Sequence, residues 1–255
     1  MSNFGASAGW GLAVAASLVA GALLAVGLHL PPRVAATLTA FGGGILLAAV
    51  AVDLVPEADH QAGRWVTAGG LLVGTLLYIG ADAWLTRNEQ MRELRRSMHA
   101  AMVGQPMMGT PAVGEAARGE AIAAGIFIDG VPESIALGLT VAAGQIGVAL
   151  LAGVLIGNVV EAYGAAQPII AADRPPGLAV TLLAAIGLAL AGATVLGGTV
   201  LADASPALIG GAEALASGAV LAVVSVSIIP YAFSEVSSMV AAAAVVGFIG
   251  GYLLS

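Results

Sequence analysis

The chain has 255 residues, of which 59% are hydrophobic and 9% charged, and its mean hydropathy is +1.00. Soluble globular domains carry about a quarter charged residues, so this composition excludes an ordinary soluble domain and indicates a polytopic membrane protein. The absence of cysteine excludes disulfides, thiolate metal sites and a cysteine nucleophile, and the net charge of −7 gives no indication of nucleic-acid binding, because most of the charge lies in short connections and inside apolar runs.

Eight apolar runs follow one another along the chain, each close to the length of about 20 residues that an α-helix needs to cross a bilayer. They predict an all-α fold, with a single transmembrane domain over residues 1–255. The N-terminus has no basic segment, so we expect the first run to remain as a helix rather than to be cleaved as a signal peptide. The predicted spans are 9–30, 34–58, 65–85, 120–143, 146–172, 178–201, 210–233 and 237–254.

A polar segment, residues 86–119, separates the third run from the fourth and is predicted to be a loop. The chain contains arginine but no lysine. If the apolar runs alternate in direction, Arg64 is the one arginine that falls on its side of the membrane. The other arginines share the opposite side: Arg33, Arg87, Arg92, Arg95, Arg96, Arg118 and Arg174. Because cytoplasmic connections are enriched in basic residues, the loop is predicted to be cytoplasmic, with both termini outside and the protein in the cell (inner) membrane.

The second and seventh runs share a pattern of small residues that ends in proline. Residues 40–56 can be laid on residues 214–230, which sets Gly44 against Gly218 and aligns the two prolines. The two runs cross the membrane in opposite directions, so the match predicts an inverted repeat of helices 1–3 and 6–8 around a central pair, helices 4 and 5. Secondary transporters often bind their substrate between such repeats, near the midplane. Chance similarity between sequences rich in alanine, valine and glycine is the alternative.

The two central runs carry polar side chains at similar depth. Asp129 and Glu133 lie four residues apart in the fourth run, and Asn158 and Glu161 lie three apart in the fifth, so each pair shares one face of a helix. At 1.5 Å per residue, Glu133 and Glu161 lie roughly 20 Å from the end at which each antiparallel helix enters the membrane. All four groups are therefore expected to converge near the midplane.

These acids have no basic partner nearby in sequence, since no lysine or arginine occurs within the central spans. A carboxylate at the centre of a bilayer costs about 2.5–3.5 kcal/mol or more, so the missing counter-charge is predicted to be a cation or a proton. Pro132 frees a backbone carbonyl beside Glu133 as a further oxygen ligand. We therefore predict an oxygen-rich metal site of Asp129, Glu133, Asn158 and Glu161. The alternative is that the acids are protonated and hydrogen-bonded between helices.

Asp53 and Glu57 lie four residues apart at the outer end of the second run, with Asp59 just beyond them. Such a concentration of negative charge raises the local concentration of cations, so we predict an entrance site at Asp53 and Glu57. Ordinary solvated charges at the end of a helix are the alternative. Glu213 is expected on the same outer side, and the same two interpretations apply to it.

Three motifs resemble those of the ZIP family of zinc and iron transporters. The family's fourth helix carries His-Asn-x-Pro-Glu-Gly, and here the fourth run has Asp129-Gly130-Val131-Pro132-Glu133-Ser134. Its fifth helix carries a polar pair followed by x-Pro-Glu-Gly, where this chain has Gly157-Asn158-Val159-Val160-Glu161-Ala162. Its second helix often ends in Leu-x-Pro-Glu-Ala, like Leu54-Val-Pro-Glu-Ala58 here. Eight spans, outward termini and a long loop after the third span are also similar to the family, and the resemblance implies a divergent prokaryotic member.

The chain departs from the family's pattern at several of these positions. Asp129 replaces the metal-binding histidine, Gly130 replaces the neighbouring asparagine, and Val160 replaces the proline of the fifth helix. Ser227 stands where many relatives carry an acid in the seventh helix, so a second, adjacent metal site is expected to be weak or absent. The loss of histidine leaves hard oxygen ligands, which favour Mn²⁺, Fe²⁺ or Mg²⁺, although Zn²⁺ also accepts carboxylates.

The resemblance and the four polar residues together predict a secondary transporter that moves a divalent metal cation, Zn²⁺, Fe²⁺ or Mn²⁺, into the cytoplasm. We expect no enzymatic activity and no prosthetic group. The expected partners are the metal ion, the lipid bilayer and, by resemblance alone, a second copy of the chain in a homodimer. Two alternatives stay open. A proton-linked carrier of a non-metal substrate predicts transport without metal dependence, and a degenerate, non-transporting metal sensor or scaffold predicts binding without flux.

Overall fold

The structure is a computed structural model that describes residues 3–28, 30–85, 115–144, 147–171, 175–200, 203–228 and 238–255. Over these residues the protein is almost entirely helical and contains no strand, which confirms the all-α prediction for them. The helices are α1 (Asn3–Gly27), α2 (Pro32–Ala48, continuing through Ala49–Leu54 and Val55–Ala62), α3 (Arg64–Leu85), α4 (Glu115–Ala142), α5 (Val148–Ala171), α6 (Pro176–Val200), α7 (Pro206–Val223, continuing through Val224–Ile228) and α8 (Ser238–Leu254).

Several helix boundaries differ from the prediction: α1 begins at Asn3 rather than at residue 9, and α7 begins at Pro206 rather than at residue 210. The helix α2 runs beyond residue 58 to Ala62 and ends at Gly63, whose φ of +82° is a conformation that glycine adopts at little cost. The helix α4 begins at Glu115, inside the segment predicted to be a loop, because its first residues are rich in alanine and glutamate, which favour a helix. Residues 86–114, and the last part of the seventh predicted span, lie outside the described residues.

The lengths of the helices and the apolar side chains on their surfaces both show that the helices belong in a membrane. Seven of them are long and apolar enough to cross a bilayer, and α8 is apolar but slightly shorter. Large apolar side chains are exposed on several helices, among them Leu12, Leu76, Leu188 and Val245. Extended apolar surface of this kind is unfavourable in water and requires a covering of lipid or protein. The chain is therefore a multi-pass membrane protein.

The helices pack as two groups of four. Bundle A consists of α1, α4, α5 and α6, in which α1 packs along both α5 and α6, and α4 packs along α6. Bundle B consists of α2, α3, α7 and α8, in which α2 packs along α8, and α7 packs along α3. Between the bundles, α2 packs against α5 and α4 packs against α7, less extensively than the main pairs within each bundle.

Glycine allows the helices within each bundle to approach backbone to backbone. A β-carbon added at Gly138 would meet the carbonyl oxygen of Thr194 in bundle A, and one added at Gly44 would meet that of Ala244 in bundle B. At the contact between α5 and α2 the approach is less close: a β-carbon at Gly153 would lie 2.8 Å from the side chain of Leu46 and 3.1 Å from its backbone nitrogen. Small residues that bring backbones together are the usual basis of close helix packing in membranes. The interior of each bundle is thus closely fitted.

The helices α2 and α7 each contain a π-helical segment, Ala49–Leu54 and Val224–Ile228 respectively. Such segments are rare in proteins and frequently lie at functional sites. The segment in α2 includes Asp53, one of the two predicted entrance residues.

Candidate functional site

The helix α4 carries two of the predicted metal ligands. Glu133 lies in the middle of Gly125–Ala142, the part of α4 that is apolar enough to cross the membrane, and only 5% of its surface is exposed. Asp129 lies one turn earlier and is half-buried. Pro132 lies inside the helix, directly before Glu133, and its missing N–H leaves a carbonyl group of the preceding turn without a helical donor. The helix therefore presents two carboxylates and polar backbone at mid-span.

The helix α5 contributes the other two predicted ligands. Asn158 is 2% exposed, and its Nδ2 atom has no hydrogen-bond partner among the described residues. Glu161 lies one turn further along α5 and is half-buried. A buried amide without a partner is costly, and rotation of the Asn158 amide by half a turn would present its oxygen in place of its nitrogen. The amide is thus available to a polar ligand.

The acids of α4 and α5 share one electrostatic environment. The carboxylate of Glu133 interacts with the charge of Glu161 across the helix contact and with that of Asp129 on its own helix. Repulsion between like charges is strong where water is excluded, and it favours the uptake of a cation or of a proton. The structure thus places Glu133 within electrostatic range of Glu161 and of Asp129, on the helix pair that also holds Asn158.

Asp129 has a partner that the sequence analysis did not identify. The hydroxyl group of Tyr78 in α3 donates a hydrogen bond of 2.6 Å to Oδ1 of Asp129. Tyr78 is 3% exposed and belongs to bundle B, whereas Asp129 belongs to bundle A, so the bond links the two bundles at the candidate site. A tyrosine inside an apolar span indicates that its hydroxyl needs a partner, but the sequence does not identify which one.

In the part of the chain that the structure describes, no three His, Cys, Asp or Glu side chains are placed so that they could hold a metal ion together. The predicted ligands therefore lie near one another without forming a complete set, and the metal site stays a prediction. The hydrogen bond from Tyr78 holds one oxygen of Asp129 toward α3. A cation at this carboxylate binds either at a remaining lone pair, beside the tyrosine hydroxyl, or in place of the hydroxyl.

The two predicted entrance residues have different neighbours. Asp53 hydrogen-bonds the side chain of Ser255, just beyond the end of α8. Glu57 accepts a hydrogen bond of 2.5 Å from Nε2 of Gln61, and its charge acts on Glu213 of α7. Glu213 is only 1% exposed, which the sequence analysis did not foresee. The structure therefore directs Asp53 toward α8 and brings Glu57 together with Glu213.

Comparisons of the sequence with protein-family models and with curated proteins found no significant match. The resemblance to the ZIP family therefore stays a prediction, carried by the motifs around Glu57, Glu133 and Glu161.

Proposed function

We propose that the protein is a secondary transporter of the ZIP type, which moves a divalent metal cation, Zn²⁺, Fe²⁺ or Mn²⁺, across the cell (inner) membrane into the cytoplasm. The observation that carries the proposal is the group of acids at mid-span, where buried Glu133 interacts with Glu161 and Asp129. Neither Gly125–Ala142 nor Val148–Gln167 contains lysine, arginine or histidine. Buried carboxylates without a basic partner need a cation from elsewhere, and a transported ion supplies it.

The chemistry of the four predicted ligands narrows the choice of ion. Asp129, Glu133 and Glu161 offer carboxylate oxygens, and Asn158 offers an amide oxygen after rotation. Carboxylates and carbonyls suit Mn²⁺ well, and Fe²⁺ and Zn²⁺ also accept such oxygens. We therefore place Mn²⁺ first among the ions to be tested, with Fe²⁺ and Zn²⁺ beside it.

We propose that transport occurs when bundle A moves relative to bundle B. All four predicted ligands lie on α4 and α5, so an ion bound to them would move with bundle A. A cleft of about 360 Å³ separates α4 from α3 and α7, and apolar side chains such as Phe127, Leu77 and Leu215 line it. Apolar side chains can slide past one another without breaking directional bonds, whereas backbone contacts at glycine hold each bundle together. Sliding of one packed unit past another is a common form of conformational change.

We further propose that α1–α3 and α6–α8 are inverted repeats, and three features of the packing support this. In the alignment of residues 40–56 with 214–230, the π-helical segment of α2 falls on that of α7. The aligned glycines make equivalent contacts: Gly44 meets a backbone carbonyl of α8, and Gly218 meets one of α3. The contact of α1 with α6 is reciprocal, as expected beside a two-fold axis, because Gly11 meets Ala191 while Gly187 meets Ala15.

The hydrogen bond from Tyr78 to Asp129 offers a way to couple ion binding to bundle movement. We expect Tyr78→Phe to destabilise the ion-free protein by about 1–2 kcal/mol, because a hydrogen bond to a carboxylate is lost. Saturating Mn²⁺ is expected to reduce the difference in thermal unfolding temperature between variant and native chain, because the ion replaces the hydroxyl at Asp129. The matched control is Tyr252→Phe on the exposed surface of α8. A difference that grows with Mn²⁺ would show that the hydroxyl supports the bound ion instead.

The orientation of the chain in the membrane can be tested by cysteine labelling, because the native chain has no cysteine that would react in the background. We expect Ser205→Cys, in the connection before α7, to react with a membrane-impermeant maleimide in intact cells. Ser97→Cys, in the predicted cytoplasmic loop, is expected to react only after the membrane is opened. This pattern follows from the arginine asymmetry, which places the two connections on opposite sides. The reverse labelling pattern would reverse the orientation and make the proposed direction of transport wrong.

A proton-linked carrier of a non-metal substrate is the second candidate, and one observation favours it: among the described residues, no three His, Cys, Asp or Glu side chains are placed to hold a metal ion together. Proteoliposomes separate the two candidates. The metal transporter is expected to move Mn²⁺ down its gradient, whereas the carrier would acidify the vesicle interior under an imposed potential without any added metal. Binding of Mn²⁺ without transport of either Mn²⁺ or protons would favour the metal sensor or scaffold.

A further inference from the structure

A second group of polar side chains lies in bundle B, at the contact between α7 and the last turns of α2. A β-carbon added at Gly210 would lie 2.7 Å from the β-carbon of Gln61 and 3.0 Å from the carbonyl oxygen of Ala58, so the two helices touch here. Glu213 follows Gly210 by three residues and therefore lies on the same face of α7. Because α2 and α7 cross the membrane in opposite directions, the residue of α2 beside Glu213 is Glu57, one turn before Gln61.

Two oxygen atoms of this group have no partner. Glu213 is 1% exposed, and its Oε2 atom makes no hydrogen bond in the described part of the chain. Oε1 of Gln61 is buried and likewise has no partner there. The other end of the Gln61 amide donates to Oε1 of Glu57. The three side chains thus lie at one helix contact, where Oε2 of Glu213 and Oε1 of Gln61 have no donor among the described residues.

The basic residue nearest to this region in sequence is Arg64, which is exposed at the start of α3. Glu57 and Glu213 interact electrostatically across the helix contact. Residues 34–62 and 203–228 contain no lysine or arginine, and His60, the one histidine among them, is exposed. A buried carboxylate beside a second carboxylate is strongly unfavourable unless a cation or a proton neutralises one of them. Glu57 is only half-buried, which leaves a route from the surface to this position.

We propose that Glu57, Gln61 and Glu213 form a second divalent-cation site, separate from the central acids and located in bundle B near the predicted outer surface. Two carboxylates and an amide oxygen are ligands for a hard ion such as Mn²⁺, with water completing the coordination. The identity of the cation rests on the proposed function. In that function the site holds an ion on the outer side before it reaches Glu133 in bundle A.

The test is to count the Mn²⁺ ions bound to the purified full-length chain by equilibrium dialysis, with metal analysis of both compartments. Two ions per chain are expected for the native protein. Glu213→Gln is expected to weaken one of them by at least about tenfold, because a unit charge beside a divalent ion is removed while the shape is kept. Glu133→Gln is expected to weaken the other. Asp203→Asn, which neutralises an exposed acid just before α7, serves as the control and is expected to retain both ions.

Each outcome bears on one site or the other. If Glu213→Gln retains two ions with native affinity, the carboxyl is protonated and hydrogen-bonded, and the second site is overturned while the central site stands. If Glu213→Gln loses an ion and Glu133→Gln does not, the second site stands and the proposed function fails. Glu57→Gln repeats the test at a half-buried position, so a failure of Glu213→Gln to fold does not decide the result. A native chain that binds no Mn²⁺ overturns both sites.

Discussion

Replacing Glu133 by glutamine is expected to lower metal uptake by at least about 100-fold, to the level of empty liposomes. The change removes one negative charge but keeps the shape of a side chain that is 5% exposed and lies among Asp129 and Glu161. Removing one partner from a buried set of opposite charges, here the acids and the bound cation, typically costs about 3 kcal/mol or more, and about 3 kcal/mol corresponds to a factor of more than 100 in binding. Uptake of radioactive or fluorescence-detected Mn²⁺ into proteoliposomes measures the effect.

The control for this variant is Asp203→Asn, which makes the same chemical change at an exposed position. It is expected to transport at the native rate. Both variants must elute as single species of native size, so that a loss of transport is not a loss of folding. If Glu133→Gln folds and still transports at more than about a tenth of the native rate, Glu133 is not a ligand of the transported ion.

A second large effect is expected at the contact between α3 and α7. A β-carbon at Gly74 would meet the backbone carbonyl oxygen of Leu215, and a backbone atom cannot rotate away as the end of a side chain can. Gly74→Ala is therefore expected to force the helices apart and to lower the free energy of unfolding by about 1–3 kcal/mol or more. Thermal unfolding of the detergent-solubilised chain, followed by circular dichroism, measures the change.

The same helix provides the matched substitution. Gly80 is exposed, and a β-carbon there would have no other atom within 4 Å. Gly80→Ala is thus expected to leave the unfolding temperature unchanged or to raise it slightly, because alanine favours a helix over glycine by up to about 1 kcal/mol. Equal effects of Gly74→Ala and Gly80→Ala would contradict the close backbone contact between α3 and α7.

The helices and the polar residues of α4 and α5 could be predicted from the sequence because both depend on local features. The length of each apolar run sets the length of a helix, as for Val148–Ala171 against the predicted 146–172. The position of Glu133 in the middle of such a run predicts that it is buried, since a helix of that length is covered by neighbours or lipid at its centre. The structure agrees, with Glu133 almost fully buried.

The partners of the acids could not be predicted, because they depend on which helices pack together. Tyr78 and Asp129 are separated by 51 positions, and nothing in either run specifies that α3 lies beside α4 at this level. Glu57 and Glu213 meet for the same kind of reason, through the close approach of α2 and α7 at Gly210. In the sequence, Glu213 therefore does not differ from an ordinary charged residue near the end of a helix, and only the packing shows that it is buried.

The most direct test of the proposed function is metal uptake by the native chain in proteoliposomes, with Zn²⁺, Mn²⁺, Fe²⁺ and Cd²⁺ measured in parallel against protein-free vesicles. The proposed function predicts saturable influx of at least one of these ions, and its oxygen ligands predict that Mn²⁺ is among them. Absence of flux for all four ions, with the chain folded and inserted in the vesicles, would contradict a divalent-metal transporter.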